Sequence, residues 1–250
     1  MFSLLTRRKI KGVVTRSTPN IITLINLALG FVAIKSAFNE NFELAVALII
    51  SGMFLDCLDG AVARKLDVTS DFGKELDSLS DMVSFGVAPA VLCWLILPYQ
   101  TILFEVCLVI FVVCGACRLA EFNSIEKEFT CFKGFPVTAG GGLLAILGLY
   151  ESYIPFTLFI IIVVTLSASM VSKIPFFSLK SKKQLKLTYL AFLIPAFPLI
   201  LYYPYLLALI LGGYLLSGIV IYIGNTFNTF VKKTYNNQES NRGASNRGFF

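Results

Sequence analysis

Residues 56–81, with the sequence DCLDGAVARKLDVTSDFGKELDSLSD, contain all six aspartates of the chain. Long apolar runs precede and follow this stretch, so these acidic side chains stand at the ends of otherwise hydrophobic segments. An ionised carboxylate at membrane depth is costly and usually has a function inside a helix bundle. The stretch therefore predicts two membrane helices joined by a hairpin, with a functional site where the helices meet.

The composition of the whole chain agrees with a membrane location. Its 250 residues are 56% hydrophobic and only 14% charged, whereas about a quarter of the residues of a soluble domain are charged. The chain has no histidine, which excludes catalytic triads and histidine-ligated zinc or haem. We attribute the net charge of +6 to cytoplasmic loops that face anionic lipid, and we expect no nucleic-acid partner.

The hydropathy pattern predicts an all-α integral membrane protein, a bundle of about eight transmembrane helices. A span needs roughly 17–25 residues, and two of the runs are short, so six helices are the alternative. Lysine and arginine concentrate before the first run, in the 173–186 loop and in the tail. By the positive-inside rule both termini, and with them the aspartate hairpin, are cytoplasmic. The apolar runs lie at 20–38, 44–64, 77–97, 102–120, 136–150, 153–172, 188–203 and 205–224.

The chain divides into three segments. Residues 1–18 are basic and amphipathic, which predicts an interfacial segment, although a plain positively charged flank explains them equally well. Residues 19–230 form the membrane domain. Residues 231–250 are polar and are predicted to be a disordered tail.

Four of the aspartates are spaced so that they face one another. Asp56 and Asp59 are at i, i+3, and Asp77 and Asp81 are at i, i+4, so each pair shares one face of a helix. Converging carboxylates repel each other and need protons or cations. An all-oxygen site suits magnesium, manganese or calcium. Two divalent ions would balance four carboxylates, and paired metals commonly serve phosphoryl transfer.

Two other interpretations of the aspartates stay open at this point. They could form buried ion pairs with Arg64, Lys65 and Lys74, or they could belong to the pathway of a cation transporter. A pathway through the membrane would distribute the carboxylates along its length, whereas here they gather at one end of the helices.

The spacing of this stretch resembles the signature of the CDP-alcohol phosphatidyltransferase family at every fixed position. Shorter flanking segments resemble the branch of that family in which L-serine is the acceptor alcohol. The signature reads Asp56-x2-Asp59-Gly60-x2-Ala63-Arg64-x8-Gly73-x3-Asp77-x3-Asp81, and the flanking segments are PNIIT at 19–23, CRLAEFN at 117–123 and FKGFP at 132–136.

The resemblance implies an enzyme that transfers the phosphatidyl group of CDP-diacylglycerol to the hydroxyl of L-serine and releases CMP. It implies two divalent ions, Mg²⁺ or Mn²⁺, with Asp56 and Asp77 bridging both, Asp59 on the first and Asp81 on the second. Asp81 would also be the general base. Alternatives are the same chemistry with glycerol 3-phosphate or an inositol phosphate as acceptor, and an aspartate-rich prenyltransferase, which lacks the glycine and arginine framework.

The resemblance implies contacts to CDP-diacylglycerol, while the candidate contacts to serine come from the charged residues level with the aspartates. Serine carries a carboxylate and an ammonium, and Arg118 or Lys133 is the candidate partner of its carboxylate, although either could be a juxtamembrane charge. Gly60 and Ala63 could equally serve helix packing. The candidate CDP-diacylglycerol contacts are Asn20, Thr23, Gly60, Ala63, Arg64, Ser70 and Gly73.

The expected cellular location follows from the family resemblance and from the predicted membrane topology. We expect a multi-pass protein of a bacterial cytoplasmic membrane, with the active site facing the cytoplasm and the lipid bilayer as its surroundings. The family implies a homodimer.

Overall fold

The computed structural model describes residues 2–66, 70–98, 101–124, 134–172, 174 and 197–245, with side chains for 20–60, 70–98, 101–124, 134–172, 174 and 197–224. Throughout this part of the chain the regular structure is helical, which confirms the all-α class. The helices are α1 (Phe2–Phe38), α2 (Phe42–Leu66), α3 (Asp71–Asp81), α4 (Ala88–Ile96), α5 (Ile102–Ser124), α6 (Val137–Leu149), α7 (Phe156–Val171) and α8 (Pro204–Ser245).

Several of these helices are long and apolar enough to cross a membrane, which supports the predicted membrane protein. Helix α2 has the length of a span but carries Glu43, Asp56 and Asp59. Helices α6 and α7 are apolar but shorter. The seventh predicted run, 188–203, lies mostly outside the described residues, and its end, 197–202, is helical. The four long apolar segments are Asn20–Phe38, Asp71–Ile96, Ile102–Ser124 and Pro204–Gly224.

Helix α6 lies at the centre of the bundle. Nearly all of its residues are buried, including three consecutive glycines at 140–142, which agrees with a helix that is hydrophobic on every side. Around it, α1 and α2 form a closely packed pair joined by a short turn, while α5 packs against α7 through Phe104 and Phe159. The two helices that carry the aspartates, α2 and α3, lie on one side of α6, and both pack against α1.

The segment Asp71–Ile96, which is the third predicted span, is not a uniform α-helix. Immediately after Asp81, residues Met82–Val87 form a π-helical turn, which then continues into α4, and the N–H of Ala88 donates to the carbonyl of Val83. Pro89 lies in the first turn of α4. Proline has no N–H, and its ring clashes with the carbonyl four residues earlier, here that of Phe85, so a regular α-helix cannot run through this point.

Both ends of the chain differ from the simplest interpretation of the sequence. Helix α1 begins at Phe2, so the basic segment is continuous with the first span. Helix α8 continues to Ser245, although the sequence predicts disorder from residue 231. Extending an existing helix adds a hydrogen bond for each residue that is ordered and avoids the cost of nucleation, which gives a physical reason for both extensions.

Gly141 of α6 packs directly on the π-helical turn. A Cβ at this position would collide with the carbonyl oxygen of Phe85 and would lie 2.7 Å from its Cα. We expect Gly141→Ala to destabilise the protein by about 1–3 kcal/mol, since backbone cannot move aside as a flexible side chain can. The decrease in Tm of the detergent-solubilised protein measures this effect.

Gly212→Ala in α8 is the matched control, because no atom of the residues that the structure describes lies within 4 Å of a Cβ at Gly212. We expect the free energy of unfolding of this variant to lie within about 1 kcal/mol of the wild-type value, or slightly above it. Equal melting temperatures for the two variants would show that the contact between Gly141 and Phe85 is not tight.

Candidate metal centre

Three aspartates converge where α2 meets α3. Asp56, Asp59 and Asp77 each offer a carboxylate oxygen, and these oxygens all lie within 4.8 Å of one another. Asp59 is buried, while Asp56 and Asp77 are half-buried. The i, i+3 spacing of the first two places them on one face of α2. Asp77 of α3 lies opposite them, and both helices pack against α1.

Two hydroxyl groups orient these carboxylates from other helices. Thr23 Oγ1 of α1 donates to Asp59 Oδ2 at 3.0 Å. Thr138 Oγ1 of α6 donates to Asp56 Oδ2 at 3.2 Å. Hydroxyl groups that donate to metal-binding carboxylates commonly fix their orientation in this way.

Asp81 lies next to this group but outside it. It follows Asp77 by one helical turn, about 6 Å along α3, and it is only 8% exposed. Among the described residues its hydrogen-bond donor is Asn26, whose Nδ2 lies 3.5 Å from Asp81 Oδ1. The four aspartates of the sequence pattern are therefore arranged as a group of three with a fourth carboxylate one turn further from the hairpin.

Helix α1 is joined to the span Asp71–Ile96 by two serine hydroxyls, one in α3 and one in the π-helical turn that follows it. Ser80 Oγ donates to the carbonyl of Thr23 at 3.0 Å, and Ser84 Oγ donates to the carbonyl of Asn26 at 2.9 Å. Thr23 and Asn26 are also the residues whose side chains donate to Asp59 and Asp81. The backbone and the side chains of the same two residues thus join α1 to the carboxylates.

Several of the predicted nucleotide contacts come together at the start of α3. Ser70 is the N-cap of α3, and its Oγ accepts a hydrogen bond from the Gly73 N–H at 3.0 Å. A Cβ at Gly73 would lie 3.2 Å from Asn20 Oδ1, so Asn20 of α1 lies beside this turn. Gly60 directly follows Asp59 on α2. The side chains of the remaining two, Ala63 and Arg64, lie outside the described set.

Of the two candidate serine contacts, Arg118 can be placed. It is 8% exposed, and its Nε has no hydrogen-bond partner among the described residues. It lies against Gly134, where a Cβ would be 3.1 Å from Arg118 Nε and would collide with the Met170 carbonyl oxygen. Gly134 has φ +87°, a conformation that favours glycine. Lys133 lies outside the described residues.

The buried guanidinium is connected to the carboxylate group through the segment 134–138. Gly134 precedes Thr138 by four residues, and Thr138 donates to Asp56. Four residues of fully extended chain span about 14 Å at most, and part of this segment is helical. The distance from Arg118 to the carboxylates is therefore at most about 14 Å plus the lengths of the side chains at the two ends of this segment.

Sequence reasoning missed two polar residues of this region. Thr138 is 82 residues from Asp56, so no local pattern relates the two. Asn26 had a detectable signal, because it is a lone amide in an apolar run, three residues after Thr23 and on the same helix face.

The donor set fits divalent cations. Three partly buried carboxylates within 4.8 Å of one another repel strongly unless positive charge lies between them. Hard divalent cations prefer oxygen ligands of this kind. Lys74, one of the cations that could have neutralised the cluster, instead pairs with the exposed Asp71 at 3.2 Å. The residues most suited to hold metal are Asp56, Asp59 and Asp77, with Asp81 adjacent.

Comparisons with known proteins agree with this geometry. The family model described as CDP-alcohol phosphatidyltransferase matches residues 16–170. A Bacillus subtilis protein named CDP-diacylglycerol–serine O-phosphatidyltransferase is 42% identical over 162 residues, which cover 63% of this chain and 88% of that protein. A Helicobacter pylori protein of the same name is 33% identical over 213 residues, covering 81% and 89%. One from Methanocaldococcus jannaschii is 42% identical over 135 residues, covering 54% and 61%.

Proposed function

The chain belongs to the CDP-alcohol phosphatidyltransferase family, and from this premise we propose that it transfers the phosphatidyl group of CDP-diacylglycerol to the hydroxyl of L-serine. The observation that carries the proposal is the group formed by Asp56, Asp59 and Asp77, because these residues belong to the motif typical of the family. The names of the relatives support L-serine as the acceptor.

Enzymes of this family use divalent metals, and we propose that two cations, Mg²⁺ or Mn²⁺, bind here. Asp56, Asp59 and Asp77 would hold them together with Asp81. When bound, the cations offset the carboxylate charge, polarise the phosphoryl group and stabilise the leaving phosphate. The hydroxyls of Thr23 and Thr138 keep the carboxylates in the orientation that this task requires.

The proposed reaction exchanges one phosphorus–oxygen bond for another. The serine hydroxyl oxygen bonds to the phosphorus that carries diacylglycerol, and the bond from that phosphorus to the oxygen bridging it to cytidine monophosphate breaks. CMP leaves with the bridging oxygen. Asp81 takes the hydroxyl proton, and its small exposed fraction of 8% keeps bulk water from competing for this role.

The remaining substrate contacts are assigned from their placement. Asn20, Ser70 and Gly73 meet at the start of α3, and we assign them to the nucleotide part of CDP-diacylglycerol. Thr23 follows Asn20 by about one turn on α1, and Gly60 directly follows Asp59, the carboxylate to which Thr23 donates. Ala63 and Arg64 follow along α2, with Arg64 as the candidate partner of the diphosphate.

We assign the serine carboxylate to Arg118. A buried guanidinium with an unused N–H costs free energy, and an anionic substrate group would satisfy it. We therefore expect Arg118→Ala to raise the KM for serine at least about tenfold, the effect of losing a charged hydrogen bond, with the KM for CDP-diacylglycerol within twofold of wild type. Steady-state CMP release at varied serine concentration measures this.

Arg118→Lys is the matched variant, since it keeps the charge and loses the planar fork of donors. Its serine KM should fall between those of Arg118→Ala and the wild type. An unchanged serine KM in Arg118→Ala would remove Arg118 from the serine site and leave Lys133 as the candidate.

The cellular setting is part of the proposal. The concentration of lysine and arginine in the N-terminal segment, the 173–186 loop and the tail supports an active site that faces the cytoplasm of a bacterial cell. We propose that residues 1–18 lie at the membrane interface, that 19–230 form the catalytic domain, and that residues 231–250 take no part in catalysis. A homodimer is proposed from the family alone.

Incorporation of radiolabelled L-serine into extractable lipid tests the proposed function. The label should enter lipid only when CDP-diacylglycerol and a divalent cation are both present. Label uptake into proteoliposomes without lipid labelling would instead indicate transport. Lipid labelled by glycerol 3-phosphate or an inositol phosphate, but not by serine, would keep the reaction class and change the acceptor.

A further inference from the structure

Asn26 is a fully buried amide in the first membrane span. Its exposed fraction is 0%, and the residues on either side of it, Ile25 and Leu27, are apolar. Its Nδ2 lies 3.5 Å from Asp81 Oδ1, while its Oδ1 has no hydrogen-bond partner among the described residues. Burying an amide that is only partly satisfied costs free energy, and an apolar residue of similar size would avoid that cost. The position of Asn26 therefore requires an explanation other than stability.

Helix α2 provides the space that this amide occupies. A Cβ at Gly52 would lie only 2.7 Å from Asn26 Oδ1, closer than real Cβ contacts. The amide thus lies between α2 and α3, the two helices that carry the aspartates. With any larger residue at position 52, the amide would have to move away from its present position.

The backbone of Asn26 is fixed to the helix that carries its carboxylate partner. Ser84 Oγ donates to the Asn26 carbonyl at 2.9 Å, and Ser84 follows Asp81 by three residues on the same face of the third span. This hydrogen bond joins α1 to the π-helical turn that follows α3, near the Asp81 carboxylate.

The amide engages only one of the two carboxylate oxygens. Asn26 Nδ2 approaches Oδ1, and no donor from the described residues is bonded to Asp81 Oδ2. A carboxylate held through one oxygen cannot rotate freely and presents the other oxygen in a constant direction. Catalytic hydrogen bonds are often long before the substrate binds, which agrees with the distance of 3.5 Å.

We propose that Asn26 is a positioning residue that holds the Asp81 carboxylate so that Oδ2 faces the acceptor hydroxyl, with Gly52 providing the space for its amide. This inference rests on the proposed function, in which Asp81 is the base. Removing the amide should leave both substrates bound normally and slow the step in which the proton is transferred.

The test compares Asn26→Leu, which keeps the volume and removes the donor, with Ser84→Ala, which removes a hydrogen bond between the same two helices and leaves the amide in place. For Asn26→Leu we expect kcat to fall about 10- to 100-fold, the usual effect of losing a supporting hydrogen bond. The KM values for serine and CDP-diacylglycerol should stay within twofold of wild type. For Ser84→Ala, which keeps the amide donor, we expect a fall in kcat at least about threefold smaller than that of Asn26→Leu.

Gly52→Ala is the second variant, because it displaces the amide without deleting it and therefore tests the same contact if Asn26→Leu does not fold. We expect a fall in kcat with unchanged KM values, and little further loss when both substitutions are combined.

A kcat within threefold of wild type in folded Asn26→Leu, or in Gly52→Ala, would overturn the proposal. An equal loss of kcat in Ser84→Ala would also overturn it, since helix packing would then explain the effect. The wild-type protein serves as the reference: if it releases no CMP, the proposed function fails, whereas an active wild type with active variants refutes only the role of Asn26.

Discussion

Asp77→Asn is expected to lower the rate of CMP release by about 10³-fold while the protein keeps its helical fold. Asp77 is the member of the three-carboxylate group that α3 contributes, and the other two come from α2. The substitution keeps the shape of the side chain but removes the negative charge. The loss of one preorganised electrostatic group in an active site commonly costs two to three orders of magnitude, and here it would also weaken metal binding. Initial rates of CMP release and Mn²⁺ binding measured on the same preparation test both effects.

Asp71→Asn is the matched control for this variant. Asp71 lies on the same helix, six residues earlier, but its side chain is fully exposed and pairs with Lys74. An exposed ion pair contributes little, so we expect its rate of CMP release to stay within about threefold of wild type. Asp77→Asn with more than a tenth of the wild-type rate, or with undiminished Mn²⁺ binding, would contradict the assignment of the metal centre.

Asp81→Asn is expected to reduce kcat by about 10²- to 10⁴-fold, the range attributed to a general base. Because Asp81 lies outside the group in which Asp56, Asp59 and Asp77 converge, at least one Mn²⁺ should still bind to each chain of the variant. Kinetics and Mn²⁺ stoichiometry, measured together, thus separate the role of Asp81 from that of Asp77.

Two results would contradict this assignment of Asp81. A kcat within tenfold of wild type would show that another group takes the proton. Complete loss of Mn²⁺ binding would show that Asp81 is required to assemble the whole metal centre, and its role as a base would then have no independent support.

The core of the candidate site could be predicted because its geometry is local. The spacings of Asp56 with Asp59 and of Asp77 with Asp81 are helical, and two apolar runs joined by a short polar segment predict a hairpin that brings the two faces together. The hairpin also places Ser70 at the start of α3, where its hydroxyl caps the helix. What could be predicted in this way is the direction in which side chains point from neighbouring helices.

Contacts between distant parts of the chain could not be predicted. Thr138 reaches Asp56 only because α6 occupies the centre of the bundle, and nothing near residue 138 in the sequence indicates this. The π-helical turn depends jointly on Pro89, which prevents a regular helix, and on Gly141, which allows α6 to approach Phe85. Likewise, the buried contact between Asn26 and Asp81 depends on Gly52 in a third helix.

The separation of Asp81 from the other three aspartates follows from helix geometry once the packing is known. Residues at i and i+4 share a face and are about 6 Å apart along the helix axis, so their spacing alone does not determine whether one or both join the oxygens of α2. The sequence pattern indicates a shared face, and only the packing of α1 against α3 shows that Asp81 is instead adjacent to Asn26.

The most direct test of this account is CMP release by the purified wild-type protein with CDP-diacylglycerol, Mg²⁺ or Mn²⁺, and one acceptor alcohol at a time. We expect CMP with L-serine, none with glycerol 3-phosphate or an inositol phosphate, and none after chelation until the divalent ion is restored. CMP release with L-serine that persists in the presence of chelator, or no release with any acceptor from folded protein that binds Mn²⁺, would contradict it.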